Sequence, residues 1–316
     1  MLLGVAMSSK RFPFPIPYGW YHIDFTDQLQ PGGIHILKRF ARELVLWKTN
    51  NGTPILQDAH CPTCGANLGL NGTVIDNNLV CPKINCSFRA ETEGSIENID
   101  PDFFHTYSMV ERHGILMGWY HPKNTPPSYE LPTIVEFENP DFVKPISTGH
   151  DIKTCLQEMG ENAADSAHFS TVHGHLAGAE YKKFKLNQHV MYMESSQVFP
   201  SSGGPVKGTL NSKSIGFGWA EVRYETLIEV CMLTTNAPID EENVIQYFHV
   251  SYLNKEKDPR VDRIGIAFEK EVNRQLTDDM AIWEHKMYNP NPILCDGDGP
   301  IAHYRKWAKQ FYLYDK

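Results

Sequence analysis

The segment CPTCGANLGLNGTVIDNNLVCPKINC, residues 61–86, contains four of the seven cysteines of the chain, arranged in two close pairs. Two residues separate Cys61 from Cys64, four separate Cys81 from Cys86, and 16 lie between the pairs. In a reducing compartment, cysteines paired in this way form metal sites more often than disulfides. The segment therefore predicts two loops that meet at a bound metal.

The composition is that of a globular protein without a polyanionic partner. The 316 residues are 41% hydrophobic and carry a net charge of −9, and no run of Lys or Arg suggests nucleic-acid binding. No stretch reaches the roughly 18 consecutive apolar residues typical of a membrane helix, and the opening MLLGVAMSSKRF is too short in its apolar part for a secretory signal. We therefore expect a soluble, cytoplasmic protein in which Cys155, Cys231 and Cys295 are isolated, small buried side chains.

The residues around the cysteine segment predict an N-terminal β domain. Within residues 17–120, runs such as ELVLWKT, TPILQDA and GILMGWYH alternate with Gly and Asn turn signals, a pattern typical of short antiparallel strands. Residues 121–132, HPKNTPPSYELP, are rich in proline and predict a linker. We therefore place the first domain at residues 1–125.

The remainder, residues 126–316, has a different pattern. Helix formers predict helices over residues 155–173 and 264–288, and PIAHYRKWAKQFYLYD predicts a closing amphipathic helix. Between them, runs such as EVRYETLIEVCMLT in residues 190–250 predict strands. The predicted fold class is therefore α+β: an all-β N-terminal domain, followed by a domain in which an antiparallel sheet packs against helices.

A second motif, ENAADSAHFSTVHG, contains His168 and His173. Positions five apart on an ideal helix of about 3.6 residues per turn point roughly 140° apart, so the two histidines share a metal only if the helix ends or distorts between them. Mononuclear iron sites for oxygen chemistry need two neutral imidazoles and one carboxylate. Asp278 and Asp279 in QLTDDMAIWEHK are candidates for the carboxylate, because an acid among apolar residues is costly to bury unless it binds a cation.

Four segments that together extend along most of the chain show a family resemblance: PFPIPYGWYHIDFTDQL, LVLWKTNNGTPILQDAHCP, QEMGENAADSAHFSTVHG and DDMAIWEHKMYNPNPILCDGDGPIAHYRKWAKQFY. With these segments the chain resembles the Rieske non-haem iron oxygenases, specifically the branch of 3-ketosteroid 9α-hydroxylase oxygenases and cholesterol 7-desaturases. The third segment fits the N-x-x-D-x-x-H-x4-H iron motif of that family.

The resemblance implies roles for the residues that match the motif. His168 and His173 would bind mononuclear iron(II), and Asp279 would be the carboxylate ligand, with the preceding aspartate as the alternative. Asn162 would lie beside the iron, and Asp165 would bridge the iron of one subunit to the cluster of its neighbour. The resemblance also implies a head-to-tail homotrimer, an NAD(P)H-dependent reductase and a hydrophobic, steroid- or sterol-like substrate.

The cysteine loops depart from the family pattern. Family members hold a [2Fe–2S] cluster with C-x-H in one loop and C-x-x-H in the other, and Cys61 and Cys81 match the two cysteines. Thr63 and Ile84 occupy the histidine positions, and isoleucine cannot bind iron. A further cysteine follows each of these positions, one residue later in the first loop and two residues later in the second.

Three interpretations of this cysteine site remain open: a structural zinc ion on four thiolates, a [2Fe–2S] cluster on four cysteines, or a site without metal. Zinc needs only a tetrahedron of such ligands and has no redox chemistry, so it would end electron delivery by this route. An all-cysteine cluster would have a lower potential than a histidine-ligated one. His60 is not an expected ligand, because adjacent strand residues point to opposite faces.

Two functions follow from these features. The first is an oxygenase that uses iron(II) and O2 to hydroxylate, desaturate or demethylate its substrate. The second is a pseudo-oxygenase or accessory subunit, in which zinc holds the former cluster domain and the chain binds a hydrophobic ligand or an active partner oxygenase. Phe217, Trp219, Tyr247 and Phe248 are candidates for the lining of a hydrophobic pocket, although core packing explains most such residues equally well.

Overall fold

The computed structural model describes residues 10–89, 104–176, 178–199, 204–295 and 297–313. The strands of its N-terminal part are β1 (Gly19–Phe25), β2 (Ile34–Arg39), β3 (Arg42–Lys48), β4 (Pro54–Asp58), β5 (Thr73–Ile75), β6 (Asn78–Val80), β7 (Ser87–Arg89), β8 (Thr106–Tyr107), β9 (Met109–Arg112) and β10 (Ile115–Tyr120). They form antiparallel sheets with the orders β1-β10-β9, β2-β3-β4-β8 and β5-β6-β7.

The hairpin between β5 and β6 positions the second cysteine loop. Asp76 and Asn77 join the two strands, and both have positive φ, 48° and 59°. A two-residue hairpin needs this left-handed backbone to match the twist of its strands, and Asp and Asn tolerate it better than most residues. Because β6 leads directly into Cys81 and β7 follows Cys86, the loop and the small sheet form one unit.

The C-terminal part contains one seven-stranded antiparallel sheet with the order β11-β17-β16-β15-β14-β13-β12. Its strands are β11 (Ile146–Ile152), β12 (Glu180–Asn187), β13 (Val190–Phe199), β14 (Val206–Ile215), β15 (Trp219–Glu225), β16 (Glu229–Pro238) and β17 (Val244–Tyr252). The helices are α1 (Val135–Glu138), α2 (Leu156–Ala164), α3 (His168–Thr171), α4 (Pro259–Trp283) and α5 (Ile301–Ala308), which a 3-10 turn (Lys309–Phe311) extends. The predicted fold class, all-β followed by α+β, is confirmed.

Both faces of the large sheet are covered at its centre, whereas the edge strand β12 is mostly exposed. On β16, every residue after Glu229 is buried, so neither face of that strand meets solvent. Because neighbouring residues of a strand point to opposite faces, Phe248 faces α2 and α4, whereas Tyr247 faces the N-terminal sheets. The ring of Tyr247 stacks there on that of His22 of β1, with centroids 4.0 Å apart.

The prediction of one long helix over residues 155–173 is wrong, because two short helices, α2 and α3, occupy that segment. Asp165 has an extended backbone (φ −85°, ψ 109°), which ends α2 at Ala164. Its carboxylate accepts hydrogen bonds from the backbone N–H of Ala167 (3.0 Å) and His168 (3.4 Å) at the start of α3. Asp is a favoured residue for capping a helix start in this way, so a polar cap overrides the helix propensity of the segment.

The other helices lie close to their predicted positions. The helix predicted over residues 264–288 begins earlier, at Pro259, where Asp258 accepts a hydrogen bond from the N–H of Arg260, and it ends at Trp283. The closing helix is present as α5. No helix among the described residues combines the length and apolar character needed to cross a membrane.

The proline-rich segment of residues 121–132 has no helix or strand, but it is packed rather than free. Tyr129 and Leu131 are buried, and the indole N–H of Trp20 donates a hydrogen bond to the carbonyl of Tyr129 (2.8 Å). A single cluster of buried side chains also includes residues of both parts, such as Leu46 and Leu233. The division at residues 125 and 126 stays a prediction.

Buried histidines lie at the junction of the two parts. The hydroxyl of Thr235 is 2.9 Å from Nδ1 of His22 and 3.0 Å from Nε2 of His249, whose Nδ1 is 2.8 Å from the hydroxyl of Ser147. Burial lowers the pKa of His249 to about 3 and, together with the nearby His249, places the pKa of His22 well below its usual value. Both rings are therefore neutral at physiological pH.

We expect this junction to weaken in acid. The unfolded chain protonates both histidines near pH 6.5 while the folded chain does not, so stability is complete above that pH and falls as the pH drops towards 3. At pH 5 the loss from His249 amounts to on the order of 2 kcal/mol. Urea unfolding at pH 7.5 and pH 5.0 should show a smaller pH effect in His249→Gln than in wild type or in the exposed control His285→Gln. An equal pH effect in all three proteins would contradict this role.

Candidate active site

Three predicted ligand residues meet above the large sheet. One nitrogen each of His168 and His173 and one carboxylate oxygen of Asp279 lie within 4.8 Å of one another, and all three residues are buried. Nε2 of His173 is 3.4 Å from Oδ1 of Asp279. The structure therefore brings together two imidazoles from one short segment and a carboxylate from a distant helix.

The two histidines converge because the helix between them is short. α3 ends at Thr171, and His173 lies in the following turn, before Gly174 with φ of +70°. Gly is the residue best suited to that left-handed backbone. The end of the helix turns His173 back towards His168, which removes the 140° divergence expected for a continuous helix.

The proton position on His168 is set by the main chain. Its Nδ1 is 2.6 Å from the carbonyl oxygen of Asp165, so Nδ1 carries the proton and donates it to that oxygen. Nε2 is then unprotonated on the side of His173 and Asp279. Burial, partly offset by Asp279, lowers the pKa of His168, which favours the neutral imidazole that binds metals.

Asn162 connects two of the predicted ligands. Its side-chain N–H group is 2.9 Å from Oδ2 of Asp279 and 3.3 Å from Nε2 of His168. A hydrogen bond to one oxygen of a ligating carboxylate fixes its orientation and leaves the other oxygen for the metal. The amide of Asn162 therefore holds Asp279 in place, which is consistent with its predicted position beside the iron.

The structure distinguishes between the two candidate carboxylate ligands, Asp278 and Asp279. Oδ2 of Asp278 is 2.6 Å from Nη1 of Arg274 on the surface of α4 and 3.8 Å from Nδ1 of His173. Asp279, one residue further, lies within the buried cluster. Two neutral imidazoles and one carboxylate with open positions around them form the donor set of mononuclear non-haem iron(II), so these residues fit that metal.

A largely apolar cavity of about 230 Å³ adjoins the cluster. Phe217, Trp219 and Phe248 line it, as the sequence suggested, whereas Tyr247 is on the opposite face of the sheet. Flexible methionine side chains form much of the remaining wall, which lets a cavity adapt its shape to a ligand. They are Met159, Met191, Met193 and Met232.

The sequence analysis did not identify the polar residues that line this cavity. Ser212 and Asn236 line it and are buried, yet the hydroxyl of Ser212 and Oδ1 of Asn236 have no hydrogen-bond partner among the described residues. The amide N–H of Asn236 donates to the carbonyl of Phe217 (2.7 Å), which fixes the orientation of the side chain. The signal that could have identified Asn236 is that it is a polar residue in β16, a strand that is almost fully buried.

The four cysteines converge beside the β5-β6-β7 sheet. The Sγ atoms of Cys61, Cys64 and Cys81 lie within 4.8 Å of one another. The Sγ of Cys64 is 3.6 Å from that of Cys81, and Cys86, outside the group of three, has its Sγ 3.7 Å from that of Cys61. All four are free thiols among the described residues, as are the three isolated cysteines, of which Cys155 and Cys231 are buried as expected, whereas the expectation for Cys295 is wrong because its side chain is exposed. The predicted meeting of the two loops is therefore present in the structure.

The thiols differ in their tendency to ionise. Burial opposes ionisation of Cys81, but hydrogen bonds from the backbone N–H groups of Lys83 and Ile84 outweigh it and lower the pKa to about 7. Burial, reinforced by the neighbouring Cys61, raises the pKa of Cys86 to about 12. Several thiolates can lie side by side here only if a cation neutralises them.

The former histidine positions contribute no ligand. Thr63 and Ile84 are exposed, and neither side chain belongs to a group of potential metal-binding residues in the described chain. His60 is also outside these groups, and its Nε2 is 3.4 Å from a carboxylate oxygen of Glu43. The structure therefore offers four sulfurs at this site and no imidazole.

Comparison with known proteins identifies relatives along nearly the whole chain. The chain is 27% identical to cholesterol 7-desaturase of Drosophila melanogaster, over 96% of this chain and 76% of the relative. It is 26% identical to the oxygenase component of 3-ketosteroid-9-alpha-monooxygenase from Rhodococcus rhodochrous, over 93% and 82% of the two chains.

Solved structures share the fold. Dicamba monooxygenase bound to dicamba has a TM-score of 0.70 at 14% identity, covering 93% of this chain and 96% of the other. NdmA of Pseudomonas putida CBB5 with caffeine has a TM-score of 0.72 at 14% identity, covering 92% and 89%. At such low identity the similarity concerns the fold alone.

Two family models match consecutive parts of the chain. Residues 19–107 match the Rieske [2Fe–2S] domain, and residues 118–312 match the 3-ketosteroid 9α-hydroxylase C-terminal domain. The matches and the oxygenase relatives imply an iron–sulfur cluster and a non-haem iron. The His168, His173 and Asp279 cluster fits the iron, whereas Thr63 and Ile84 do not fit a Rieske cluster. The chain therefore belongs to the family defined by the 3-ketosteroid 9α-hydroxylase C-terminal domain, joined here to a Rieske-type N-terminal domain.

Proposed function

We propose that the protein is a non-haem iron oxygenase that uses O2 to hydroxylate, desaturate or demethylate a hydrophobic, steroid- or sterol-like substrate. The observation that carries this proposal is the position of the His168, His173 and Asp279 cluster in the wall of a largely apolar cavity. Iron(II), when bound by these residues, supplies the activation of O2 that protein side chains lack. The relatives that act on cholesterol and on a 3-ketosteroid support the substrate class.

The residues around the iron position would orient its ligands. The side-chain N–H group of Asn162 holds one oxygen of Asp279, so that the other oxygen faces His173. The carbonyl of Asp165 holds the proton of His168 on Nδ1. The apolar wall would exclude water and place the substrate beside the open positions of the metal.

Electron supply requires further proteins. The Rhodococcus relative is named an oxygenase component, which implies a separate component. For this chain we propose an NAD(P)H-dependent reductase and an assembly that is either a homotrimer or a hetero-oligomer with an active oxygenase subunit. Asp165 would face the redox centre of the neighbouring subunit. Residues 1–125 and 126–316 would be the cysteine domain and the catalytic domain, with zinc or a [2Fe–2S] cluster on the four cysteines.

The exposed Thr63 and Ile84 favour a second candidate function. A chain without the cluster histidines would act as a pseudo-oxygenase or accessory subunit that binds a hydrophobic ligand or an active partner oxygenase. The two functions differ in one measurable respect. The oxygenase forms product when its iron is reduced chemically, whereas the accessory subunit binds ligand without converting it.

The polar groups of the cavity indicate the chemistry of the substrate. Oδ1 of Asn236 is a buried acceptor with no partner among the described residues, and its N–H group is engaged by Phe217. A substrate hydroxyl can donate a hydrogen bond to this oxygen, whereas a ketone can only accept one, for example from the hydroxyl of Ser212, and leaves Asn236 unpaired. Leaving a buried acceptor unpaired costs about 1–3 kcal/mol. We therefore favour a sterol with a free hydroxyl over the corresponding 3-ketosteroid.

A single-turnover assay tests the function and this preference together. Iron-loaded protein is reduced chemically and mixed with O2 and either a 3-hydroxysterol or the matching 3-ketosteroid, and the products are analysed by mass spectrometry. We expect gain of one oxygen or loss of two hydrogens, with the hydroxysterol converted preferentially. Ligand binding without product from iron-loaded protein would instead establish the accessory function.

We expect Asn236→Leu to reduce kcat/KM for the hydroxysterol by about 5- to 100-fold, because the acceptor is lost from a buried site. The rate with the ketosteroid should change much less. The matched control is Asn187→Leu, the same substitution at an exposed position of β12, which should leave both rates unchanged. An equal loss with both substrates would show that Asn236 has a structural role only.

A further inference from the structure

The geometry of the four thiols distinguishes between the metals that fit four cysteines. A zinc ion binds thiolates at about 2.3 Å, so the sulfurs of a zinc tetrahedron are about 3.8 Å apart on every edge. The separations of 3.7 Å between Cys61 and Cys86 and 3.6 Å between Cys64 and Cys81 match such edges, but two thiolates on one iron of a cluster would be as far apart. What favours a single ion is that the three sulfurs of Cys61, Cys64 and Cys81 are mutually within 4.8 Å, as on one face of a tetrahedron. Cys86 lies outside this group, so its sulfur has to move closer to complete the tetrahedron.

A two-iron cluster needs a different arrangement. Each iron takes two protein ligands, and the bridging sulfides separate the two pairs by the length of the cluster. In a Rieske cluster, both cysteines bind one iron and both histidines the other. The sulfur of Cys64 lies close to those of both Cys61 and Cys81, so it faces the first metal position. On the side of the second position, the exposed Thr63 and Ile84 offer no ligand.

The two cysteine loops are built alike around this point. Each begins with Cys-Pro, and the N–H of the fifth residue of each loop returns to the carbonyl of its first cysteine, from Gly65 to Cys61 (2.8 Å) and from Asn85 to Cys81 (3.1 Å). Gly65 and Asn85 both have positive φ, 70° and 54°. The two turns therefore bring their thiols together from two sides.

The loops are also anchored. Cys61 and Cys81 are buried in a small core of their own, together with Leu68, Leu79 and Phe88. Backbone N–H groups of Lys83 and Ile84 donate to the sulfur of Cys81, and that of Ala66 donates to the sulfur of Cys64. Such hydrogen bonds stabilise negative sulfur, so the sulfurs are directed by the fold itself.

We infer that the four cysteines hold one Zn²⁺ ion in place of a two-iron cluster. The ion joins the two loops and completes a domain whose own core is small. Zinc has no redox chemistry, so this domain does not pass electrons. The consequence for catalysis rests on the proposed function: the iron of this chain receives its electrons from a redox centre on another protein.

Metal and sulfide analysis of purified full-length protein tests the inference. The protein is expressed with supplementary iron, and zinc, iron and acid-labile sulfide are measured per chain. We expect one zinc and no labile sulfide, with zinc lost in Cys64→Ser and Cys86→Ser and retained in Cys295→Ser, which removes an exposed lone thiol. Two irons and two sulfides in addition to the mononuclear iron, a single iron on the cysteines, or four reactive thiols without metal would each overturn it.

Spectroscopy makes the test independent of whether the serine variants fold. Wild-type protein loaded with Co²⁺ in place of zinc should show the intense visible bands of a tetrahedral cobalt thiolate, and dithionite-reduced protein should lack the paramagnetic signal of a reduced [2Fe–2S] cluster. His168→Ala should lose iron and keep zinc. A cluster signal would overturn the zinc site while leaving the proposed oxygenase intact, whereas loss of activity with zinc present would affect the proposed function alone.

Discussion

Replacement of Asp279 by alanine is expected to abolish binding of mononuclear iron and, with it, product formation. The substitution removes the carboxylate of a three-residue donor set and leaves only the two imidazoles. Loss of an outer hydrogen-bond partner alone weakens metal sites by about 10–100-fold, so loss of a ligand should weaken iron binding by more than about 100-fold. Iron per chain after anaerobic dialysis is the measurement.

The neighbouring Asp278→Ala is the matched control. Asp278 pairs with Arg274 on the exposed side of α4, and its carboxylate is 3.8 Å from the nearer nitrogen of His173. We therefore expect this variant to retain most of its iron. Retention of full iron by Asp279→Ala, or an equal loss in the two variants, would exclude Asp279 as the ligand. His168→Ala and His173→Ala should each lose iron to the same extent as Asp279→Ala.

A second large effect is expected from Arg305→Met. Arg305 on α5 forms two hydrogen bonds of 2.7 Å with Glu161 of α2, and both side chains are largely buried. Removal of one partner leaves a buried charge uncompensated, which costs about 3–5 kcal/mol. The free energy of unfolding, measured in urea, should fall by about that amount. Because Glu161 precedes Asn162, iron binding should weaken as well.

Two further variants distinguish the contribution of this ion pair to stability from the general effect of removing an arginine. Arg260→Met removes an exposed pair with Asp258, and exposed pairs contribute about 0–1 kcal/mol. Glu161→Gln combined with Arg305→Met removes both charges and should recover part of the stability. If Arg305→Met lowers the free energy of unfolding no more than Arg260→Met does, the buried pair does not anchor α2.

The grouping of the predicted ligand residues was largely accessible from sequence because most of the motif is local. Asn162, His168 and His173 lie within 12 residues, and the family pattern identifies them together. The choice between Asp278 and Asp279 could not be made from the local sequence, because it depends on which face of α4 is turned towards α3. The interruption of the helix at Asp165 was missed because helix propensity takes no account of a capping carboxylate.

The assignment of residues to the two faces of the large sheet was beyond prediction for a different reason. A sheet with one solvent-exposed face shows alternating polar and apolar residues, but the central strands of this sheet are covered on both faces. The sequence around Tyr247 and Phe248 therefore does not reveal which residue faces the helices. Likewise, cysteine spacing predicted the meeting of two loops, whereas the number of metal ions depends on distances between sulfurs that only the fold determines.

Because α5 is the last α-helix of the chain, the two proposed metal sites are completed at different times during synthesis. The buried core beside the cysteine loops lies within residues 45–104, so this unit can be completed while the ribosome is still translating the rest of the chain. The proposed iron ligands lie on α3, in the turn after it and on α4, and Arg305 of the last helix contacts Glu161 of α2. On this proposal iron enters a nearly finished chain, and a cell short of iron would accumulate a folded protein that carries only the metal of its cysteine site.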